Sequence, residues 1–200
     1  LMGFCSNSGP AFLVGSIGAG VFGSARLGVG LYIIHVLAAA ITGLFFRVDG
    51  KCRGNAPAAP RESGGALIES VRQAAQSILS VCGFIVCFCV IIGLLDAHGM
   101  FSLLAGQLAQ ITGLELHAAR AALSGFLELG SGIGAMRGLA VSPANLAIAA
   151  GIVGWGGVSV HFQTYAVLAD SDIKGGLHLA GRLINCAVSA TLGYIFGLLL

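Results

Sequence analysis

The residues of this sequence that could bind a solute or do chemistry are few, and most lie in uncharged, apolar stretches. They are Asn7, Ser8, Gly9, Glu128, Ser131, Ser159, His161 and Gln163. Amide, hydroxyl and imidazole groups hydrogen-bond polar solutes, and the free N–H groups at a helix start favour an anion. Glu128 stands two positions before the glycine-rich run GSGIG, where a helix is expected to break. The set predicts a binding site for a small solute and includes no catalytic residues.

An enzymatic interpretation fits these residues poorly. A serine protease inside a membrane needs its nucleophile and its histidine on separate elements, whereas Ser159 and His161 are two positions apart in one segment. The six cysteines show no CxxC spacing, and Asp96 and His98 have no second pair at ligand spacing. We therefore expect no enzyme, no metal site and no cofactor.

The elements that hold these residues must be membrane-spanning helices. Apolar types make up 56% of the 200 residues and charged types 9%, whereas about 25% of residues are charged in soluble domains. Mean hydropathy is +0.94, and uncharged runs such as 73–95 and 138–169 reach the roughly 20 residues that cross a bilayer. The composition predicts an all-α polytopic membrane protein in contact with the lipid bilayer. A net charge of +2 without a basic stripe argues against nucleic acid as a partner.

One stretch, residues 47–65, has the composition of an aqueous loop. Half of the ten Lys and Arg residues lie in it or shortly after it, namely Arg47, Lys51, Arg53, Arg61 and Arg72. By the positive-inside rule this loop is cytoplasmic, so residues 28–46 enter the cytoplasm and residues 77–95 leave it. Apolar residues at helical spacing over 67–78 predict a short amphipathic helix lying on the membrane surface.

The order of segments indicates two related halves. Residues 1–46 can be aligned with residues 151–196 without gaps. In each stretch a broken polar segment is followed by a long apolar helix. Transporters built from inverted repeats bind substrate where such interrupted helices meet near the bilayer midplane. We predict an inverted-repeat-like bundle with interrupted or re-entrant helices. Residues 1–46 end the first repeat, 47–65 form the loop, and 66–200 contain the amphipathic helix and the second repeat.

This arrangement has geometric consequences. Helices 28–46 and 183–200 should run in opposite directions through the membrane. Segments 3–12 and 154–164 should each contain non-helical backbone, which at membrane depth needs surrounding protein or a water-filled cavity. We expect these two segments to lie close to each other and to Glu128.

A polar stripe is predicted on the helix over residues 114–128. His117, Arg120, Ser124 and Glu128 are three, four and four positions apart, so they share one helical face. This face must contact protein or water. Hydrogen bonding between helices is the alternative to a functional role, above all for His117 and Arg120.

Several motifs together resemble a known family. FCSNSGPAFLVGSIGAGVFGS, FLELGSGIGA, GWGGVSVHFQ and GRLIN resemble the sporulation integral membrane protein YlbJ family. That family is similar in turn to the Gate or nucleoside-recognition domain of concentrative nucleoside transporters and of the ferrous-iron transport protein B. The resemblance extends over essentially the whole chain, which is expected to be the carboxy-terminal part of a longer protein.

The resemblance implies a transporter-like protein of a spore-forming bacterium that moves dipicolinate, a small anionic solute, across the cell or forespore membrane. The residues alone do not specify dipicolinate. A nucleoside or ferrous iron is an alternative solute, and a membrane scaffold or assembly factor without transport is an alternative function. Homo-oligomer formation stays open.

Overall fold

The described part of the protein is entirely helical. A computed structural model describes residues 7–46, 65–168 and 175–200, which form nine helices and contain no strand. The helices are α1 Ala11–Ala19, α2 Ala25–Phe45, α3 Ala66–Ala97, α4 Met100–Thr112, α5 Leu116–Leu127, α6 Leu129–Ala135, α7 Pro143–Trp155, α8 Val158–Leu168 and α9 Gly175–Leu198. The predicted all-α class is confirmed. Residues 3–6 of the first polar opening and 47–64 of the predicted loop lie outside the described residues.

Within those ranges, four helical segments are long and apolar enough to cross a membrane. They are Ala25–Phe45, Ala66–Ala97, Pro143–Ala166 and Gly176–Leu198. The third joins α7 to α8 across a break in the helix, and it is the most enclosed of the four. Many large apolar side chains on the other three face outward, which suits contact with lipid. The protein is therefore a polytopic membrane protein.

The first two helices form a tight hairpin. Pro10 precedes α1, where its missing N–H and fixed φ suit the start of a helix. α1 is π-helical, and the Gly20 N–H donates to the Gly15 carbonyl five positions earlier. π-helical turns are rare in proteins, and those that occur are often found at functional sites. A Cβ atom on Gly18 would lie 2.5 Å from Gly28 Cα, so two glycines let the backbones of α1 and α2 touch.

Helices α2 and α9 run in opposite directions, as predicted. Near the start of α2, Gly30 lies against the ring of Phe196 at the end of α9. Near the end of α2, the Thr42 hydroxyl donates to Asn185 Oδ1 in the first half of α9 at 3.4 Å. Each of these helices follows a shorter one, α1 or α8, at corresponding places of the two predicted halves.

Among the described helices, α7 and α9 share the most extensive contact. A Cβ on Gly193 would lie 2.8 Å from the Leu146 carbonyl oxygen, and one on Gly197 would lie 2.5 Å from Pro143 Cα. Small residues permit such backbone contact between membrane helices. α7 begins at Pro143, because the Ser142 side chain caps the helix by accepting the Asn145 N–H.

The prediction of a separate surface helix is wrong. Residues 67–78 belong to α3, which continues without interruption over 32 residues. At about 1.5 Å per residue such a helix is about 48 Å long, well beyond the roughly 30 Å hydrocarbon core. The polar first turns of α3 therefore continue the spanning helix beyond the hydrocarbon core. In these turns the Arg72 guanidinium pairs with the Glu69 carboxylate at 2.9 Å.

The glycine-rich run after α5 also behaves differently from the prediction. Gly130 and Gly132 lie inside the short helix α6, whose backbone packs directly on α5 because Gly132 contacts Gly125. The break falls at Glu128, two positions before Gly130, and the Glu128 backbone is extended with φ −142° and ψ 123°.

Candidate functional site

Two helix breaks meet at the centre of the candidate site. Between α7 and α8, Gly156 and Gly157 have φ of +88° and +83°, a region that favours glycine. A Cβ on Gly157 would lie 2.9 Å from the Leu129 backbone nitrogen and 3.2 Å from Glu128 Cα. The second predicted segment is therefore interrupted and close to Glu128, as expected, although its helix resumes at Val158.

Glu128 is buried and acts as the cap of α6. Its carboxylate accepts the backbone N–H of Gly130 at 2.9 Å and that of Ser131 at 2.6 Å. A carboxylate at this place satisfies free N–H groups and matches the positive end of the helix. The Ser131 hydroxyl lies 3.4 Å from Cys89 Sγ on α3. Solute binding by Glu128 and Ser131 stays a prediction, and the contacts show a capping role.

Replacing Glu128 with alanine should lower the free energy of unfolding by about 2–4 kcal/mol, because a helix cap is lost and two backbone donors lose their acceptor. Glu128→Gln, which keeps one acceptor oxygen, should cost less. Thermal unfolding of the protein in detergent measures both. The control is Glu115→Ala, because Glu115 precedes α5 but its side chain caps nothing. Equal shifts in Glu128→Ala and the control would contradict the capping role.

His161 is held against an aromatic pair. Its ring centre lies 4.3 Å from that of Trp155, in an edge-on arrangement. Trp155 stacks on Phe126 at 5.4 Å and donates its indole N–H to the Phe126 carbonyl at 2.9 Å. His161 and Ser159 are both buried. Ser159 and His161, two of the predicted site residues, thus face the inside of the protein just after the helix break.

A row of buried polar residues on α9 faces this break. His178, Arg182, Asn185 and Ser189 are spaced four, three and four apart and share one helical face. Arg182 is only 2% exposed, and Asn185 is completely buried. Sequence reasoning did not recognise this row as part of the site. The signal was present, because the same spacing test that selected the stripe on α5 selects these four residues.

The row contacts the end of α7. The Gly154 carbonyl accepts an N–H from Asn185 Nδ2 at 3.1 Å and one from the Arg182 guanidinium at 3.4 Å. Carbonyl groups in the last turn of a helix have no partner in the helix and carry partial negative charge, so they suit a cation. His178 Nε2 lies 3.2 Å from His161 Nδ1, which joins α9 to α8.

Three buried polar atoms near the break are unsatisfied. Among the described residues, the hydroxyls of Ser159 and Ser189 and the Nε2 of His161 have no hydrogen-bond partner. A buried polar group without a partner costs about 1–3 kcal/mol, so such groups are uncommon without a reason. A bound polar solute would supply the missing partners.

The first predicted group lies beside α2. Asn7 and Gly9 are exposed, and Ser8 is half-buried and donates its backbone N–H to His35 Nε2 at 3.1 Å. His35 is itself buried. The contacts of Ser8 therefore lead to α2. The two polar segments were predicted to lie close to each other, but no described contact of Ser8 reaches the segment that holds Ser159.

Gln163 lies on a different face of α8 from His161. It borders a cavity of about 750 Å³ between α8 and α3, whose other polar lining residues are Gln73, Gln76, Ser77 and Ser80. Phe162 next to it contacts the rings of Phe84 and Phe88 on α3. Gln163 is thus separated from the polar cluster of α9.

The stripe predicted on α5 does not form a common polar face. Arg120 forms an ion pair with Asp96 at 2.7 Å and bonds Ser102 on α4, and exposed His117 lies 2.8 Å from the Ala135 carbonyl. Ser124 is buried on the same helix. Hydrogen bonding between helices, the alternative given above, accounts for His117 and Arg120.

Comparison with known proteins gives one relationship. Over 221 aligned residues the chain is 28% identical to the sporulation integral membrane protein YlbJ of Bacillus subtilis (strain 168). This chain is a relative of YlbJ. The match covers 95% of the chain and 53% of YlbJ, so the chain spans about half the length of that relative. The resemblance to the YlbJ family is confirmed.

No family model and no solved structure matches the chain. The Gate domain and nucleoside recognition therefore stay predictions. The location in a membrane rests on two independent observations, the four apolar helices and the similarity to an integral membrane protein.

Proposed function

We propose that the protein belongs to a transporter that moves a small anionic solute across a membrane during sporulation, without acting as an enzyme. The observation that carries this proposal is the buried Arg182, which faces the break between α7 and α8 inside the most enclosed spanning segment. Ionisable residues at membrane depth are costly, and they mark solute or ion pathways. Interrupted helices are where many transporters bind substrate.

The surrounding donors suit a carboxylate. Arg182 presents a guanidinium, whose planar fork matches carboxylate geometry, and Ser159, Ser189 and His161 offer atoms without partners among the described residues. Dipicolinate, which the family resemblance implies, is an aromatic acid with two carboxylates. The Trp155 ring, which lies against His161, would give such a ring an apolar neighbour.

The scaffold alternative predicts polar groups dispersed along helix contacts. His117 and Arg120 fit that pattern, but the buried groups of α8 and α9 converge on one point at the α7–α8 break. This convergence favours transport over a scaffold role.

Uptake of labelled dipicolinate into vesicles carrying the full-length protein tests the proposal. His161→Ala should reduce accumulation at least about tenfold without lowering the amount of protein in the membrane, because a lost donor to a buried carboxylate costs about 1–3 kcal/mol. Asn7→Ala should act in the same direction if the first polar group also reaches the solute.

The matched control is His117→Ala, since His117 is exposed and bonds only a carbonyl of a neighbouring helix. Unaltered uptake in His161→Ala, or no uptake by the wild type, would favour the scaffold role. Competition by an unlabelled nucleoside would point to a nucleoside as the solute.

A further inference from the structure

A groove with a volume of about 340 Å³ runs along α7 between α5 and α9. Its floor is formed by Ala147, Gly151 and Trp155, and its walls include Phe126 of α5 and Leu183 and Cys186 of α9. Phe126 and Leu183 are each about half exposed. Leu183 is one of the outward apolar side chains of the spanning helix α9, so the groove is continuous with the surface that contacts lipid.

The lining of the groove suits an apolar ligand. The side chains that line it are apolar apart from the Trp155 indole and the Cys186 thiol. The indole N–H already donates to the Phe126 carbonyl at 2.9 Å, and a thiol is a weak donor and acceptor. A polar solute would lose hydrogen bonds on entering such a groove without gaining others, whereas a hydrocarbon ligand would lose none.

The dimensions of the groove fit a single hydrocarbon chain. From Ala147 to Trp155 it follows α7 for about 12 Å, at about 1.5 Å per residue. A hydrocarbon chain roughly 5 Å across fills roughly 240 Å³ over that length, since carbon atoms in contact lie about 3.5–4.0 Å apart. A helix about 10 Å across would fill roughly 900 Å³. The groove therefore admits a chain but not a helix.

The depth of the groove in the membrane gives such a chain a direction. Trp155 lies near the middle of the spanning segment Pro143–Ala166, and Ala147 lies near its start. The groove therefore covers most of the hydrocarbon of one leaflet, which is roughly 15 Å thick. A chain that enters from the leaflet at the start of α7 would have its methyl end against Trp155.

We infer that this groove binds one acyl chain of a bilayer lipid, with the methyl end of the chain at Trp155. The inference does not depend on the proposed transport function. A lipid chain is already in hydrocarbon, so its preference for the groove comes from dispersion contacts with three helices, which a convex helix surface does not offer. The Trp155 ring also lies against His161, so the bound chain reaches a residue that borders the candidate site.

The fluorescence of Trp155 tests the inference, because it is the single tryptophan of the 200 residues and bromine quenches indole emission on contact. The full-length protein is placed in vesicles of phosphatidylcholine that carries bromine near either the methyl or the carboxyl end of its chains. The difference between the wild type and Trp155→Phe gives the emission of Trp155. Bromine near the methyl end should remove most of this emission, and bromine near the carboxyl end should remove much less.

Two substitutions of Cys186 provide a blocked groove and an open one. Cys186→Phe places a ring across the groove and should restore most of the Trp155 emission in the brominated vesicles. Cys186→Ala, the matched control, leaves the groove open and should keep the quenching. Equal quenching in the two variants overturns the inference, because lipid would then reach Trp155 by another route.

An unquenched wild type also overturns the inference. That result would mean that a second copy of the chain, or another part of the full-length protein, covers the groove.

A second measurement does not depend on the Cys186 variants. The lipid brominated near the methyl end is mixed with its unbrominated counterpart in rising proportion. One chain in one groove makes the loss of Trp155 emission proportional to the brominated fraction, whereas several interchangeable lipid neighbours make the loss steepest at low fractions. The second pattern overturns the inference, as does equal quenching by the two brominated lipids.

Discussion

Replacing Gly157 with alanine should strongly reduce the amount of folded protein. A residue with a side chain at φ +83° is strained, and its Cβ would in addition lie 2.9 Å from the Leu129 nitrogen and 3.3 Å from the Leu127 carbonyl oxygen. These are backbone atoms at the α5–α6 break, so they cannot rotate away. Strain of about 1–2 kcal/mol and overpacking of about 1–3 kcal/mol together approach the stability margin of many domains.

The neighbouring glycine provides the matched control. Gly156 has the same type of backbone conformation, with φ +88°, but its nearest contacts are side-chain atoms of Val160 at 3.7 Å and Arg182 at 3.8 Å. Gly156→Ala should therefore show the backbone strain alone. The amount of detergent-soluble protein and its midpoint of thermal unfolding measure the difference. Similar losses in both variants would mean that the two helix breaks do not touch.

Replacing Arg182 with glutamine should lower dipicolinate uptake by about a hundredfold or more. Leaving one partner of a buried charge pair without its counter-charge costs about 3–5 kcal/mol, and each 1.4 kcal/mol is about a factor of ten. Arg182→Lys, which keeps a point charge but loses the planar fork, should retain part of the uptake. Initial rates in vesicles, normalised to the amount of protein, measure both variants.

Arg120→Gln is the control for this experiment. Arg120 is half-buried and already paired with Asp96 at the end of α3. Its loss should leave uptake close to the wild-type rate. Wild-type uptake in Arg182→Gln would place the anion elsewhere in the protein.

The sequence predicts the spanning helices well because their signals are local. Ser142 and Pro143 mark the start of α7, and the glycine pair Gly156–Gly157 marks its end. The continuity of α3 could not be predicted, because an amphipathic stretch has the same periodicity whether it lies on a surface or extends a spanning helix. The π-helical form of α1 likewise has no local sequence pattern that would predict it.

The site was predicted in part. Ser159 and His161 lie at the predicted interruption, but the polar face of α9 that meets them was not recognised. Arg182 enters the sequence analysis only within the motif GRLIN, since a single cation near the start of a helix usually marks topology. Its inward direction depends on the close approach of α9 to α7, which is a contact between residues about 30 positions apart in the chain.

The glycine contacts between α7 and α9 limit how this protein can move. Because the backbones touch at Gly193 and Gly197, any sliding of one helix along the other would drive main-chain atoms together. The two helices must therefore tilt as one rigid block that carries the polar row with it. α3 is the natural moving part, because of its 32 residues only Phe88 is buried, so little packing has to be broken when it swings away from α8.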